Sequence, residues 1–285
     1  MAKVIITSDS TADLNHLAAE NNVRIVPLYI NLGDRSLADD GKEIVPDDIY
    51  AYVAESGNLP TSSANPVGVY EDLFKELTSE GYDVVHLNLG SKFSSTHQNA
   101  RIAAEEYSNV FVVDTANLST GSGLLVLEAA RMAKEGMAAE SIAKELEALA
   151  LKVDASFVID DLTYLHKGGR CSSVAKLGAN LLKLKPCIQV KDGAMGVAKK
   201  YRGEYKKCVA EYIKDKLADT ESIDPRRVFV THTKCDDDIV KLAIDTVNDC
   251  FKFDELVETT AGCTITTHCG PNTLGVLFFR KNDLE

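Results

Sequence analysis

An α/β fold of two domains is what the sequence predicts. The first is an N-terminal, Rossmann-like parallel-sheet domain over residues 1–152, and the second a C-terminal α+β domain with a mixed sheet over residues 153–285. Two observations predict it. In the first half, β-branched runs alternate with helix-spaced segments, the order that gives a parallel sheet covered on both faces. In the second half a hairpin signal stands among further strand and helix alternations, which a mixed sheet accommodates. A chain of 285 residues with 45% hydrophobic content can fill the cores of two such units.

KVIITSDS reads as the first strand, and TADLNHLAAENN as a helix with Ala12, Leu14, Leu17 and Ala18 at helical spacing. Ser10 and Asp13 fit an S-x-x-D capping box for it. VRIVPLYINL reads as one strand. PDDIYAYVAESG is a helix with Pro46 in its first turn, where a missing N–H costs nothing. PVGVYEDLFKELTSEGY puts Val69, Leu73, Phe74 and Leu77 on one helical face. Strand DVVHLNL, helix THQNARIAAEEY, strand NVFVVDT and one long helix from Ser119 to about Leu151 complete the half.

Beyond Val153, ASFVIDD is a strand and SVAKLGANLLKL a helix. KPCIQVKDGAMGVAKKYR is a hairpin about Asp192-Gly193, a pair suited to the positive φ angles of a two-residue turn. A helix from Tyr205 to Leu217, strand RRVFVTHT, a helix from Ile239 to Phe251, and strands LVETTA and LGVLFFR end the chain. Asp236, Asp237 and Asp238 form the acidic first turn of the helix they precede.

Composition narrows the function. A net charge of −12 argues against non-specific binding to nucleic acid or to an anionic surface. Seven cysteines without a CxxC pair read as reduced thiols in a cytoplasmic protein. The chain enters the apolar run Val4-Ile5-Ile6 directly after Met1-Ala2-Lys3, so no secretory leader is expected. No apolar stretch reaches the ~20 residues of a membrane helix, which leaves only transient membrane contact open. No GxxxxGK[ST], GxGxxG, GxSxG or HExxH occurs, so nucleotide, metal and elbow-serine chemistry have no recognisable equipment, and no cofactor is expected.

What the sequence offers is hydroxyls at strand ends. TSDST (7–11), PTSSANP (60–66), GSKFSST (90–96) and DTANLSTGSG (114–123) all lie where a parallel sheet presents its ligand edge. Each alone reads as a helix cap. Together, hydroxyls and helix-terminal amides make an anion site without a lysine. In the third loop, Ser95 or Thr96 is expected to cap the helix while Ser94 and nearby amides hold a carboxylate. LTYLHKGGRCSSVAKLG brings Arg170 to a glycine turn, and TTHCGPNTLG sets His268 in a shaped loop between strands. A serine esterase or acyltransferase using Ser94 or Ser95 with His268 is an alternative reading, although no acid is identifiable to orient the histidine.

These motifs, with ITSDSTADL and KLKPCIQVKDG, stand in the order found in the DegV family, which the chain resembles from about Ile6 to Leu277. The resemblance implies a two-domain protein that holds one long-chain fatty acid in a cleft between its domains. It further implies a non-catalytic subunit that presents the acid to a separate ATP-binding fatty-acid kinase subunit for acyl-phosphate formation. By the same resemblance Thr61, Ser62, Ser94, Ser95 and His268 bind the carboxylate. Arg170 and Arg202 match basic positions at the cleft mouth, with Arg202 expected to dock the partner. The chain departs from the family's pattern twice, with Ser95 where glycine is usual and His97 where tyrosine is usual. A lipid-responsive regulatory protein is the other role the same features allow.

The chemistry is consistent with that division. Burying about sixteen methylenes at roughly 0.8 kcal/mol each is worth on the order of 13 kcal/mol, against roughly 1 kcal/mol per hydroxyl contact. A carboxyl group with a pKa of roughly 4–5 is already ionised at neutral pH and needs no general base. Phosphoryl transfer then requires Mg²⁺, a phosphate cradle and positioning, of which this chain could supply the last.

Overall fold

The computed structural model describes residues 3–175 and 184–283. The first half comprises β1 (Lys3–Asp9), α1 (His16–Glu20), β2 (Val23–Val26), β3 (Tyr29–Leu32), β4 (Arg35–Ala38), α2 (Pro46–Ser56), β5 (Thr61–Ser63), α3 (Val67–Ser79), β6 (Tyr82–Asn88), α4 (Thr96–Ala104), β7 (Val110–Asp114), α5 (Thr120–Lys134) and α6 (Ala139–Ala150). The second comprises β8 (Val153–Ile159), α7 (Thr163–Gly168), α8 (Ser172–Ala175), β9 (Leu184–Lys191), β10 (Ala194–Arg202), α9 (Tyr205–Lys216), β11 (Ile223–His232), α10 (Asp237–Cys250), β12 (Glu255–Thr260), α11 (Cys263–Cys269) and β13 (Thr273–Arg280).

The described residues form three sheets. The first, in order β2-β1-β6-β7, is parallel throughout. The second, in order β10-β9-β8-β13-β11-β12, is mixed, with only β11 and β12 parallel. The third is a small antiparallel sheet, β4-β3-β5. Apolar faces stack these into layers. Tyr70, Phe74 and Leu77 of α3 and Ala100 and Ala103 of α4 cover one face of the parallel sheet. The other face packs on α5 and α6, and α5 also covers Ala155, Phe157 and Leu277 of the mixed sheet. Val209, Tyr212 and Ile213 of α9 and Ala243 and Val247 of α10 close the far side. Lying between two sheets, α5 is buried from Thr120 to Ala130 without a solvent face, so an apolar stripe could not describe it.

The hairpin forms as expected, with Asp192 at φ 51° and Gly193 at φ 70° between paired Lys191 and Ala194. Asp237 and Asp238 lie in the first turn of α10. Five expectations need correction. The stretch 119–151 is two helices, because the chain turns at Gly136 with φ 85°. The run 23–32 is two strands in different sheets, split at Pro27, which has no N–H to continue a ladder. The capping box does not form. Asp9 instead accepts Thr11 N–H at 3.1 Å, Ser10 turns to Asp39, and Asp13, at φ 50°, turns to Ser119. PTSSANP is not only a loop, since Thr61–Ser63 is strand β5. His268 lies on helix α11 rather than in a loop between strands. Of the expected helix at 173–184, Ser173–Ala175 belong to α8, and residues 176–183 lie outside those described.

Candidate functional site

The parallel sheet reverses its winding between β1 and β6, and a crevice opens beyond strand ends at such a point. Asp9, buried at the end of β1, closes its floor by accepting Leu89 N–H at 2.7 Å. The next loop runs over that floor to α4. Gly90 is required there, because a Cβ would stand 2.9 Å from the backbone N of Asn117. Ser94 Oγ accepts Thr96 N–H at 3.2 Å and shares a 2.6 Å hydrogen bond with Thr96 Oγ1. The capping hydroxyl is therefore Ser94, not Ser95 or Thr96. Ser95 is exposed, with φ −76° and ψ 0°, a backbone any L-residue adopts, so its side chain replaces a glycine without strain.

Across the crevice, the small sheet and α11 bring Ser62 and His268 together. Ser62 Oγ and His268 Nε2 are 2.8 Å apart. His268 Nδ1 is buried and has no hydrogen-bond partner among the described residues. A buried N–H without an acceptor costs more than an unfilled ring lone pair, so the proton belongs on Nε2 and is donated to Ser62. Burial, and then the neighbouring Arg170 charge, push the His268 pKa down to about 4, so the ring is neutral at pH 7. Gly168 makes room for this ring: a Cβ there would lie 2.6 Å from Nδ1. Gly169, at φ 71°, then ends α7 and turns the chain to Arg170, which is exposed and donates to Gly168 O at 2.7 Å. The KGGR stretch is thus a seat for the histidine.

Ser62, Ser94, Ser95, Arg170 and His268 all line one cavity of about 170 Å³. Its remaining wall is largely apolar, including Leu28, Phe93, Leu165 and Met195. A second hollow of about 30 Å³ lies deeper, against Ala155, Phe157, Val190 and Leu277 of the mixed sheet. Leu118, Ile265 and Cys269 line both, so the two hollows adjoin at these residues. Two larger hollows, of about 360 and 500 Å³, hold none of the candidate residues and are lined by charged groups such as Asp13 and Asp40, or Arg131 and Lys134.

Two candidates lie elsewhere. Thr61 precedes Ser62 on β5 and so faces the other way, where Asn31 Nδ2 donates to its hydroxyl at 3.3 Å. Arg202 is exposed at the end of β10, opposite Leu184. The remaining hydroxyl loops serve the interior: Ser119 donates to Asp13 at 2.5 Å and lines the deeper hollow. Sequence reasoning missed Leu28, Ile265 and Cys269, and no local signal marks them. Among the described residues His268 engages Ser62 rather than Ser94 or Ser95, and no carboxylate meets its Nδ1.

A polar rim over an apolar hollow suits a single-chain amphiphile, and known proteins carry the same architecture. The family model described as "Uncharacterised protein, DegV family" matches residues 3–281. A "Fatty acid-binding protein" of Thermotoga maritima is 32% identical over 281 residues, spanning 96% of each chain. The structure described as "Fatty Acid Binding of a DegV family Protein from Thermus thermophilus" superposes with a TM-score of 0.90 at 31% identity, covering 98% of this chain and all of that one. A stearic acid-binding protein from Eubacterium ventriosum superposes with a TM-score of 0.83 at 28% identity, covering 99% of each. This chain belongs to the DegV family.

Proposed function

We propose that this protein binds one long-chain fatty acid, with the carboxylate at Ser62, Ser94, Ser95 and His268 and the tail running through a neck at Leu118, Ile265 and Cys269 into the deeper hollow. The observation that carries the reading is the neutral His268 bonded to Ser62 in a cavity whose wall is otherwise a hydroxyl cluster, Arg170 and apolar side chains. With Nε2–H donating to Ser62 Oγ, the serine hydrogen is free to point at an acceptor, and an ionised carboxylate is the acceptor such a donor favours. Ser94, with Thr96 donating to it, offers a second hydroxyl. Arg170 supplies positive charge at the rim, and Thr61 contributes by holding β5 through Asn31.

The neutral histidine also bears on the fate of the bound acid. A protonated ring would pair with the carboxylate and blunt it as a nucleophile, whereas hydroxyl donors orient it and leave it ionised. That suits a subunit that presents the acid to a separate ATP-binding kinase subunit for acyl-phosphate formation, with exposed Arg202 as a docking residue. The kinase would supply Mg²⁺ and the phosphate cradle.

Mass spectrometry of lipid released from the denatured, purified protein tests the binding. About one fatty acid per chain is expected, and neither retained nor added fatty acid binding would overturn the reading. Ser62→Ala is expected to weaken fatty-acid binding by about tenfold, the worth of one hydrogen bond to a charged group. It should leave binding of the corresponding alcohol nearly unchanged.

A further inference from the structure

The helix that carries His268 has no cap of its own. Its N-cap is Gly262, and the first N–H groups are taken by two buried aspartates from distant parts of the chain. Asp13 accepts Gly262 N–H at 2.8 Å. Asp39 accepts Cys263 N–H through Oδ1 and Thr264 N–H through Oδ2, each at 2.9 Å, and the Thr264 hydroxyl at 2.6 Å.

Asp39 is also fastened to the other half of the head-group pair. It follows Ala38 of β4, which pairs with Tyr29 of β3, and the next β3 residue, Ile30, pairs with Ser62. Its backbone N–H donates to Leu28 O at 2.8 Å. Ser10 Oγ donates to its carboxylate at 3.2 Å while accepting Leu28 N–H at 3.1 Å. One buried carboxylate therefore bridges the sheet that holds Ser62 and the helix that holds His268. Asp13 makes no such bridge, since its other partner is Ser119 at the start of α5.

We infer that Asp39 is a positioning residue for the head-group site: it fixes α11 against the small sheet and so sets the 2.8 Å approach of His268 to Ser62. It touches no ligand itself, being absent from the cavity wall. The inference rests on the proposed reading of that pair as a carboxylate site.

Two measurements on the whole chain test it separately from that reading. The first uses the unliganded protein and records the ring ¹⁵N shifts of His268, assigned by their loss in His268→Ala. Asp39→Ala is expected to move them, as the bond to Ser62 is lost; unmoved shifts overturn the inference. The second compares affinities for palmitic acid and hexadecanol. The preference for the acid is expected to fall by about tenfold in Asp39→Ala, and to fall no further when Asp39→Ala is added to Ser62→Ala. Full additivity overturns the inference. Moved shifts in a protein whose wild type does not prefer the acid would support Asp39 as a positioning residue and sink the carboxylate reading. Asp39→Asn keeps the shape and one acceptor, so it is expected to fall between wild type and Asp39→Ala, and it serves if the alanine variant does not fold.

Discussion

The substitution Ile265→Trp is expected to strip the protein of long-chain fatty acid. With Leu118 and Cys269, Ile265 lines both hollows, at the neck of the proposed tail path. It is half-buried and projects from α11 one turn before Cys269. An indole there fills the passage. If about eight methylenes lose their place, roughly 6 kcal/mol of burial is forfeited, far more than any head-group contact supplies. Part of that returns as the tail finds other apolar surface, so at least about a hundredfold loss of affinity is expected. Overpacking costs about 1–3 kcal/mol of fold stability, which a cooperative thermal transition would register without abolishing. The measurement is lipid released from the purified variant, set beside binding of a short-chain acid. Full occupancy by a long-chain acid would show that the tail does not pass the neck. Loss of the short acid as well would show that the head-group site has collapsed instead.

Under the proposed binding, the contrast between Ile265→Trp and Ser62→Ala reflects a division of work between head-group contacts and tail burial. Apolar burial scales with area and is indifferent to orientation, so the tail sets affinity. Hydroxyl contacts are individually weak but directional, so they fix where the carboxylate oxygens point. Arg170 adds charge at the rim while its guanidinium remains exposed, where solvent screens it.

Much of this was legible in the sequence because it is local. β-Branched runs such as VIIT and VVHL carry their own strand signal, and Asp192-Gly193 carries its own turn. The loops with Ser62, Ser94 and Ser95 were marked by hydroxyls at strand ends. What escaped was held by contacts distant in sequence. The segment CTITTHC contains three threonines and an isoleucine, weak helix formers, and its N-cap is a glycine. It is helical because Asp39 and Asp13 cap it from more than two hundred residues away, a pairing no periodicity contains. With α11 unread, the neck residues Ile265 and Cys269 could not be placed. The small sheet escaped for a similar reason, since three- and four-residue strands give too short an alternation to stand out from loop. The S-x-x-D pattern at Ser10 misled because both side chains had better partners elsewhere in the fold.

Asp13→Asn is expected to stabilise the protein on the alkaline side of neutrality. Asp13 is 4% exposed, and its carboxyl is pushed up from 3.8 to about 8, first by burial and then by the nearby Asp39 and Asp9 charges, against hydrogen bonds from Ser119 and Gly262. A raised acid contributes stability that is complete below the unfolded pKa and is lost as pH rises through the folded one. Between those limits the native state holds a proton that the unfolded state has released, so each pH unit costs the fold about 1.4 kcal/mol. His86 and His268 act in the opposite sense. Burial holds them at about 3 and about 4, so their contribution is present above 6.5 and lost on acidification. Between about pH 6.5 and 8 the histidines are therefore silent, and Asp13 contributes a downward slope. Asparagine mimics the neutral acid: Oδ1 can still accept Gly262 N–H, Nδ2 can donate to Ser119, and asparagine tolerates the positive φ of 50° found here. Urea denaturation across that window should show the variant gaining about 1–2 kcal/mol on wild type as pH rises. A difference that stays constant with pH would mean that Asp13 is ionised in the fold, and that Ser119 and Gly262 suffice to solvate its charge.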